Sequence, residues 1–349
     1  MSELRINNIT NKNGDNGPIV AGISSVASNG FMVMPSGDTA IRGAGSGRAI
    51  FGSGASPSDT DTIDYIQIAT TGNAVDFGND IIARTENYGS CASSTRGLFA
   101  GGYNTSTTAE INTISFLTIS SGGGVNDFGS LSGNWPAYSD GGYYGLGGVS
   151  DSTRGLFGGG QGPSNLIHYV TIATTGDASD FGDLIRGRAY ALGGINNGTR
   201  GIIGGGIASP AQFNSLEFVT IQTTGNAQDF GNMTTIRTAG TGLSNSTRGI
   251  TAGGSTPTKI NSIDYLTIAT LGDAVDFGDI SYASSNGLNY LGSAASSTRG
   301  IIAGGQKPTK VNNIDFITIA STGNSTEFGD LTVARRFNMG LSDVHGGLG

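Results

Sequence analysis

Six hydrophobic stretches, IDYIQIATTG, ISFLTISSGG, IHYVTIATTG, LEFVTIQTTG, IDYLTIATLG and IDFITIASTG, recur along this chain at intervals of about fifty residues. Each is rich in Ile, Thr, Tyr and Phe, which suit a pleated sheet, and each closes on turn chemistry. Ahead of each stands a shorter run in which Thr-Arg-Gly is followed by apolar residues and a Gly pair. Its arginine is Arg96, Arg154, Arg200 or Arg299, with a close variant at Arg248 and a degenerate one at Arg48. Behind each stretch comes Asp-Phe-Gly, at Phe77, Phe128, Phe181, Phe230 and Phe277, or Glu-Phe-Gly at Phe328. A Gly/Ala/Ser-rich segment then leads to the next arginine. Each unit therefore predicts four short antiparallel strands divided by turns, and a repeat of this length is that of a β-propeller. Six arginines, six aromatic stretches and six phenylalanines set the number of blades at six.

Within the aromatic stretch the apolar residues do not alternate. In Ile263-Asp264-Tyr265-Leu266-Thr267-Ile268 they take positions one, three, four and six. A strand buried on both faces reads this way, as one packed between two neighbouring blades must. A β-solenoid would give the same pattern but would want distinct cap units at its ends. The ends here point to closure. After Phe328 the chain runs LTVARRFNMGLSDVHGGLG and stops where another arginine strand would begin. That tail resembles the segment ahead of each internal arginine, so it predicts the missing innermost strand of the blade that starts at Arg48. Such a clasp removes two sheet edges. The expectation is an all-β, six-bladed kelch-like β-propeller over 47–349, closed by a C-terminal strand and preceded by an extended arm over 1–46.

Composition agrees with this. The 61 glycines argue against long helices, because each internal Gly costs about 1 kcal/mol relative to Ala. They come in pairs and triplets, which excludes collagen, and 36% hydrophobic residues argue against disorder. A net charge of −8 with no basic run argues against nucleic acid as a partner. The single cysteine, Cys91, permits no internal disulfide. No apolar run is long enough to insert into a membrane as a helix, and the N-terminus lacks a signal-peptide layout.

Candidate chemistry is sparse. Six copies of Asp-Phe-Gly without a companion lysine strand or catalytic loop do not make the magnesium site of a kinase. The simpler reading has Phe filling the space between blades and Asp receiving a hydrogen bond. The repeated arginines are expected to be structural ties, donating to backbone carbonyls or to the Asp of Asp-Phe-Gly. Gly158-Gly159-Gly160-Gln161-Gly162 lacks the Lys and the helix of a phosphate loop. His168 occupies a slot filled elsewhere by Asp64, Ser115, Glu217, Asp264 and Asp315, and with His345 it makes neither a metal site nor a triad. No metal, cofactor or catalytic residue is expected, and the chain reads as no enzyme. The repeat is broken most clearly between Asp127 and Arg154, 27 positions apart against 19 to 23 in the other complete units. The extra residues carry Trp135, Tyr138, Tyr143 and Tyr144, aromatics suited to stacking on a sugar or a protein, or to an interface with another subunit.

The order of arginine strand, Gly-Gly, aromatic strand and polar turn resembles kelch repeats, with Phe of Asp-Phe-Gly where a kelch repeat usually has its tryptophan. More closely, the phrases STRGLFGGG and IDYLTIATLGDAVDFGD and the opening MSELRINNI resemble repeats in structural proteins of marine bacteriophages, especially those of cyanobacteria. That resemblance implies a virion component of the tail, neck or capsid surface, assembled in the host cytoplasm. The arm over 1–46 is then expected to dock on other virion proteins, and the alternative is a module that binds a host surface glycan or receptor.

Overall fold

The structure is a computed structural model, and it describes residues 47–86, 89–131 and 144–344. Six antiparallel sheets form the blades of a propeller, in agreement with the repeat count; five have four strands, and that of blade 1 gains a short fifth, Ala55–Ser56. Blade 2 shows the common plan. Its strands run from the ring centre outward as Gly89–Ala92, Arg96–Ala100, Thr113–Thr118 and Asn126–Ser130. The Gly/Ala/Ser-rich segment is thus innermost and Asp-Phe-Gly outermost in every blade.

Blade 1 is assembled from both chain ends. Arg48–Gly52 pairs on one side with Ser58–Gln67 and on the other with Met339–Ser342, in the register Ala49↔Ser342, Ile50↔Leu341, Phe51↔Gly340 and Gly52↔Met339. The clasp expected from the orphan tail is present, and it is the innermost strand.

The non-alternating apolar pattern has its reason in the packing. Among the described residues most buried apolar side chains fall into six clusters, each shared by two adjacent blades. Between blades 1 and 2, Ile50, Ile63 and Phe77 of one meet Phe99, Leu117 and Ile119 of the other. Both faces of a central strand are therefore apolar, as a buried sheet demands. The Phe of every Asp-Phe-Gly enters one of these clusters. It also meets the aromatic of its neighbouring strand edge to face, at centroid distances of 6.0 to 6.3 Å.

The repeated arginines lie on top of that pair. Arg48, Arg96, Arg154, Arg200, Arg248 and Arg299 each place their guanidinium carbon 4.4 to 4.6 Å from the centre of the same aromatic ring. Each then donates to a backbone carbonyl of the next blade: Arg48 to Ile119 at 2.9 Å, Arg96 to Ile172 at 3.1 Å, Arg154 to Ile221 at 3.1 Å, Arg200 to Ile268 at 2.8 Å, Arg248 to Ile319 at 2.9 Å, and Arg299 to Ile68 at 3.1 Å. Of the two acceptors expected for them, the structure places them on carbonyls. In blades 1 and 2 the Asp of Asp-Phe-Gly instead accepts from its own Gly, Asp76 from the Gly78 N–H at 3.1 Å and Asp127 from the Gly129 N–H at 3.2 Å.

The Thr-Gly-Asn/Asp turn ties blades in the other direction. Asn73, Asp177, Asn226, Asp273 and Asn324 accept the backbone N–H of Asp330, Ser130, Asp183, Asn232 and Asp279, all on the outer strand of the preceding blade. At the ring centre the inner strands approach so closely that a Cβ on Gly340 would overlap the Ser293 carbonyl. Hydroxyls bridge them there. Ser150, Ser244 and Ser342 donate to the carbonyls of Ala92, Asn196 and Ala295, joining blades 3 to 2, 5 to 4 and 1 to 6.

Candidate functional site

Two kinds of segment meet on one face of the ring. The first is the loop from the Gly pair of the arginine strand to the aromatic strand. It carries small hairpins, such as Tyr103–Asn104 with Ala109–Glu110, Ile207–Ala208 with Ala211–Gln212, and Ser255–Thr256 with Thr258–Lys259. The second is the crossover from each outer strand to the innermost strand of the next blade. Single bridges join the two kinds: Thr85↔Tyr103, Ala189↔Ile207, Thr238↔Ser255, Asn289↔Gln306 and Ala55↔Arg336.

Beneath these bridges four crossovers bury an arginine completely. Arg84, Arg188, Arg237 and Arg335 are 0% exposed and reach the central strands of the following blade. Arg237 pairs with Asp264 at 2.6 Å, Arg335 with Asp64 at 3.0 Å, and Arg188 with Glu217. Arg84 meets Ser115 at 3.0 Å in the equivalent slot and takes its charge partner, Asp80, from its own crossover at 3.1 Å. Burial pulls all four guanidinium groups below their ordinary value, and where an acid faces them its charge opposes this. In blade 6 no arginine arrives. The Tyr282 hydroxyl donates to the Gly304 carbonyl at 3.0 Å, and burial pushes the Asp315 carboxyl up. The slot of blade 3 holds His168, which burial pulls down, so the imidazole is neutral at pH 7. The four arginines hold blades together, and none of them reaches the surface.

The mouth of the ring is different. Each crossover enters its inner strand through one residue with left-handed backbone: Glu86 (φ 57°), Gly145 (φ 75°), Tyr190 (φ 53°), Ala239 (φ 57°), Tyr290 (φ 61°) and Phe337 (φ 58°). Backbone bonds link several of them around the mouth, from Gly145 N–H to Glu86 at 2.7 Å, Tyr290 N–H to Ala239 at 2.8 Å and Phe337 N–H to Tyr290 at 2.9 Å. Glycine meets the need at Gly145. A bulky residue in this conformation costs of order 1 kcal/mol or more, so Tyr190, Tyr290 and Phe337 keep their side chains against a backbone penalty.

Those side chains form a continuous aromatic row. Tyr103 and Tyr144 lie 5.6 Å apart, Tyr144 and Tyr190 6.1 Å, Tyr190 and Tyr290 6.4 Å, and Tyr290 and Phe337 4.0 Å. The four tyrosines are half-buried and Phe337 is buried beneath. The Tyr190 hydroxyl donates to Glu86 at 2.8 Å. Burial and then the Glu86 carboxylate raise Tyr190, and the same causes push Tyr144 up to about 12, so both phenols are protonated at any physiological pH. No family model matches this chain, and no curated protein does. What the row can do chemically follows from its composition: flat apolar rings with protonated hydroxyls and one carboxylate offer stacking surfaces edged with donors and an acceptor.

Of the aromatics singled out in the broken repeat, Tyr144 belongs to this row. Trp135, Tyr138 and Tyr143, like the arm over 1–46 and His345, lie outside the described residues. Tyr190, Tyr290, Phe337 and Glu86 were not anticipated from the sequence. The signal of the three aromatics is a Tyr or Phe two positions ahead of the inner strands of blades 4, 6 and 1, which reads equally well as core. Cys91 is buried, and burial alone pushes its thiol well up, so it is no nucleophile. Among the described residues no group of three or more His, Cys, Asp or Glu side chains is placed to hold a metal ion, and no helix is long and apolar enough to cross a membrane.

Proposed function

We propose that this chain is a non-enzymatic structural protein of a bacteriophage particle, a tail, neck or capsid-surface component that serves as an assembly or adhesion module. The likeness of its repeat phrases to marine phage structural proteins supports the setting. The observation that carries the adhesive role is the aromatic row from Tyr103 to Phe337, in which Tyr190, Tyr290 and Phe337 are kept at the mouth on left-handed backbone. Elsewhere the repeat spends its aromatics and arginines on ties between blades; here four tyrosine rings are half exposed above a buried Phe337. A rigid ring presenting such a face suits contact with another large molecule.

In this reading residues 1–46 dock the propeller onto other virion proteins, and the aromatic face is left for a receptor. Binding of a host surface glycan is the second reading, favoured by the rings themselves, since sugars stack on flat aromatic faces. Particles assembled with a chain lacking residues 1–40 test the assembly role. Loss of the protein from purified virions, with the propeller still folded, is the expected result. Incorporation at the normal level would overturn the docking arm.

A further inference from the structure

The aromatic row does not stand in neutral surroundings. The protein carries a net charge of −8 and has only four lysines, yet three of them, Lys259, Lys307 and Lys310, stand on the hairpins of blades 5 and 6 at one end of the row. Arg336 joins them from the crossover into blade 1. Its guanidinium carbon lies 4.8 Å from the Phe337 ring centre and 5.8 Å from that of Tyr290, and it donates to Gln306 Oε1 at 2.6 Å. Lys310 Nζ donates to the Pro57 carbonyl at 2.9 Å, and Lys259 Nζ to the Lys307 carbonyl.

The side chains of Lys259, Lys310 and Arg336 are thus held in place by neutral acceptors rather than by carboxylates. The ion pairs among the described residues all lie in the buried crossovers, and none includes this group. Partial burial, followed by the Arg336 charge, pulls both Lys259 and Lys310 below their ordinary value. The acid facing the cluster is Asp59, which acts on Lys310 and accepts the Thr105 N–H. Glu86 stands further along the row, where the Tyr190 hydroxyl holds it. Mutually repelling cations fixed beside stacking rings are costly without a ligand, and an anion would relieve that cost.

We infer that the aromatic mouth takes an anionic saccharide. Its sugar ring stacks on Tyr290 and Tyr190, its carboxylate, sulfate or phosphate lies against Arg336, Lys259 and Lys310, and a hydroxyl along the row is accepted by Glu86. This rests on the adhesive reading of the same face and adds to it the charge of the ligand. Nucleic acid fits less well, because the basic group is confined to one end and the chain as a whole repels polyanions.

The test uses the full-length protein on an array of oligosaccharides in matched pairs: uronic acids and their methyl esters, sulfated sugars and their desulfated forms, phosphorylated sugars and their dephosphorylated forms. Hits are then titrated in solution. The expected result is binding to acidic members, at least about tenfold weaker for the neutral partner and for Lys259→Gln/Lys310→Gln, and weakened by salt. Tyr290→Ala should weaken acidic and neutral members alike. Equal binding of acidic and neutral partners, unmoved by the lysine substitutions but lost in Tyr290→Ala, overturns the anionic ligand and leaves the adhesive face. Binding to no saccharide overturns the inference and the glycan reading, and leaves the adhesive face to a protein receptor. Tight binding of single-stranded DNA run alongside would also overturn the inference.

Discussion

A chain ending at Asn338 is expected to show no cooperative melting transition. The cut removes the strand Met339–Ser342 and with it every hydrogen bond on the inner edge of Arg48–Gly52. Met339 and Leu341 are 2% and 5% exposed, and burying two such side chains contributes about 3–6 kcal/mol. They share a cluster with Ile50, Ala92 and Phe99, which would then face water. The Ser342 bridge to Ala295 across the seam to blade 6 would go as well. A domain is typically stable by only about 5–15 kcal/mol, so the sum of these losses rivals the whole. Circular dichroism on heating measures the effect; a sharp transition within a few degrees of the intact chain would show that the clasp is dispensable.

The second large effect concerns the same seam by a different force. Replacing Arg335 with Met leaves the Asp64 carboxylate 0% exposed with no countercharge. Removing one partner of a buried pair costs about 3–5 kcal/mol, more than most single substitutions. Asp64 also accepts from the Thr332 N–H at 3.1 Å and from its hydroxyl at 2.6 Å, so the acceptor is needed even where the charge is not. Arg335→Met with Asp64→Asn should therefore recover much of the loss. Urea titrations of the intact protein, the single variant and the double variant check this, and a double variant no more stable than the single one would contradict it. The protein itself shows that the slot tolerates other solutions, with Tyr282 and Asp315 in blade 6 and His168 in blade 3.

These ion pairs also mark the limit of what the sequence displays. The blade count and the clasp were legible because Thr-Arg-Gly, Asp-Phe-Gly and the Thr-Gly turns recur with nearly fixed chemistry, and the tail repeats a known segment without its successor. The visible arginines were legible as ties, since a residue repeated in every unit serves the unit. The buried arginines were not, although their signal is present. Arg84, Arg188, Arg237 and Arg335 each stand seven positions after the Phe of Asp-Phe-Gly, and in the broken unit Trp135 stands at that count after Phe128. Counting from the first arginine hides the coincidence, because the segment between varies in length. The acid slot opposite, Asp64, Glu217 and Asp264, looks like a polar interruption of a strand until the partner arriving from another blade is seen.

The aromatic mouth was hidden for a different reason. Tyr190, Tyr290 and Phe337 stand among Gly and Ala residues that read as an inner strand, and what brings them into one row is a left-handed backbone that periodicity does not reveal. Tyr144 was picked out by its insertion alone, yet it belongs to the same row.

In this six-bladed ring the first blade is shared by both ends of one chain, and that sharing is open to test. A cysteine pair tests it most directly. Asp343 N–H donates to the Arg48 carbonyl at 3.3 Å, which makes Ala49 and Ser342 the adjacent non-hydrogen-bonded pair. Such pairs have Cα atoms about 4.5 Å apart, within the range a disulfide spans. Ala49→Cys/Ser342→Cys, oxidised in the folded state, should migrate as a compact intramolecular crosslink, and after unfolding should offer only Cys91 to a thiol reagent. Three titratable thiols, or a crosslink found only between two chains, would contradict the closed ring.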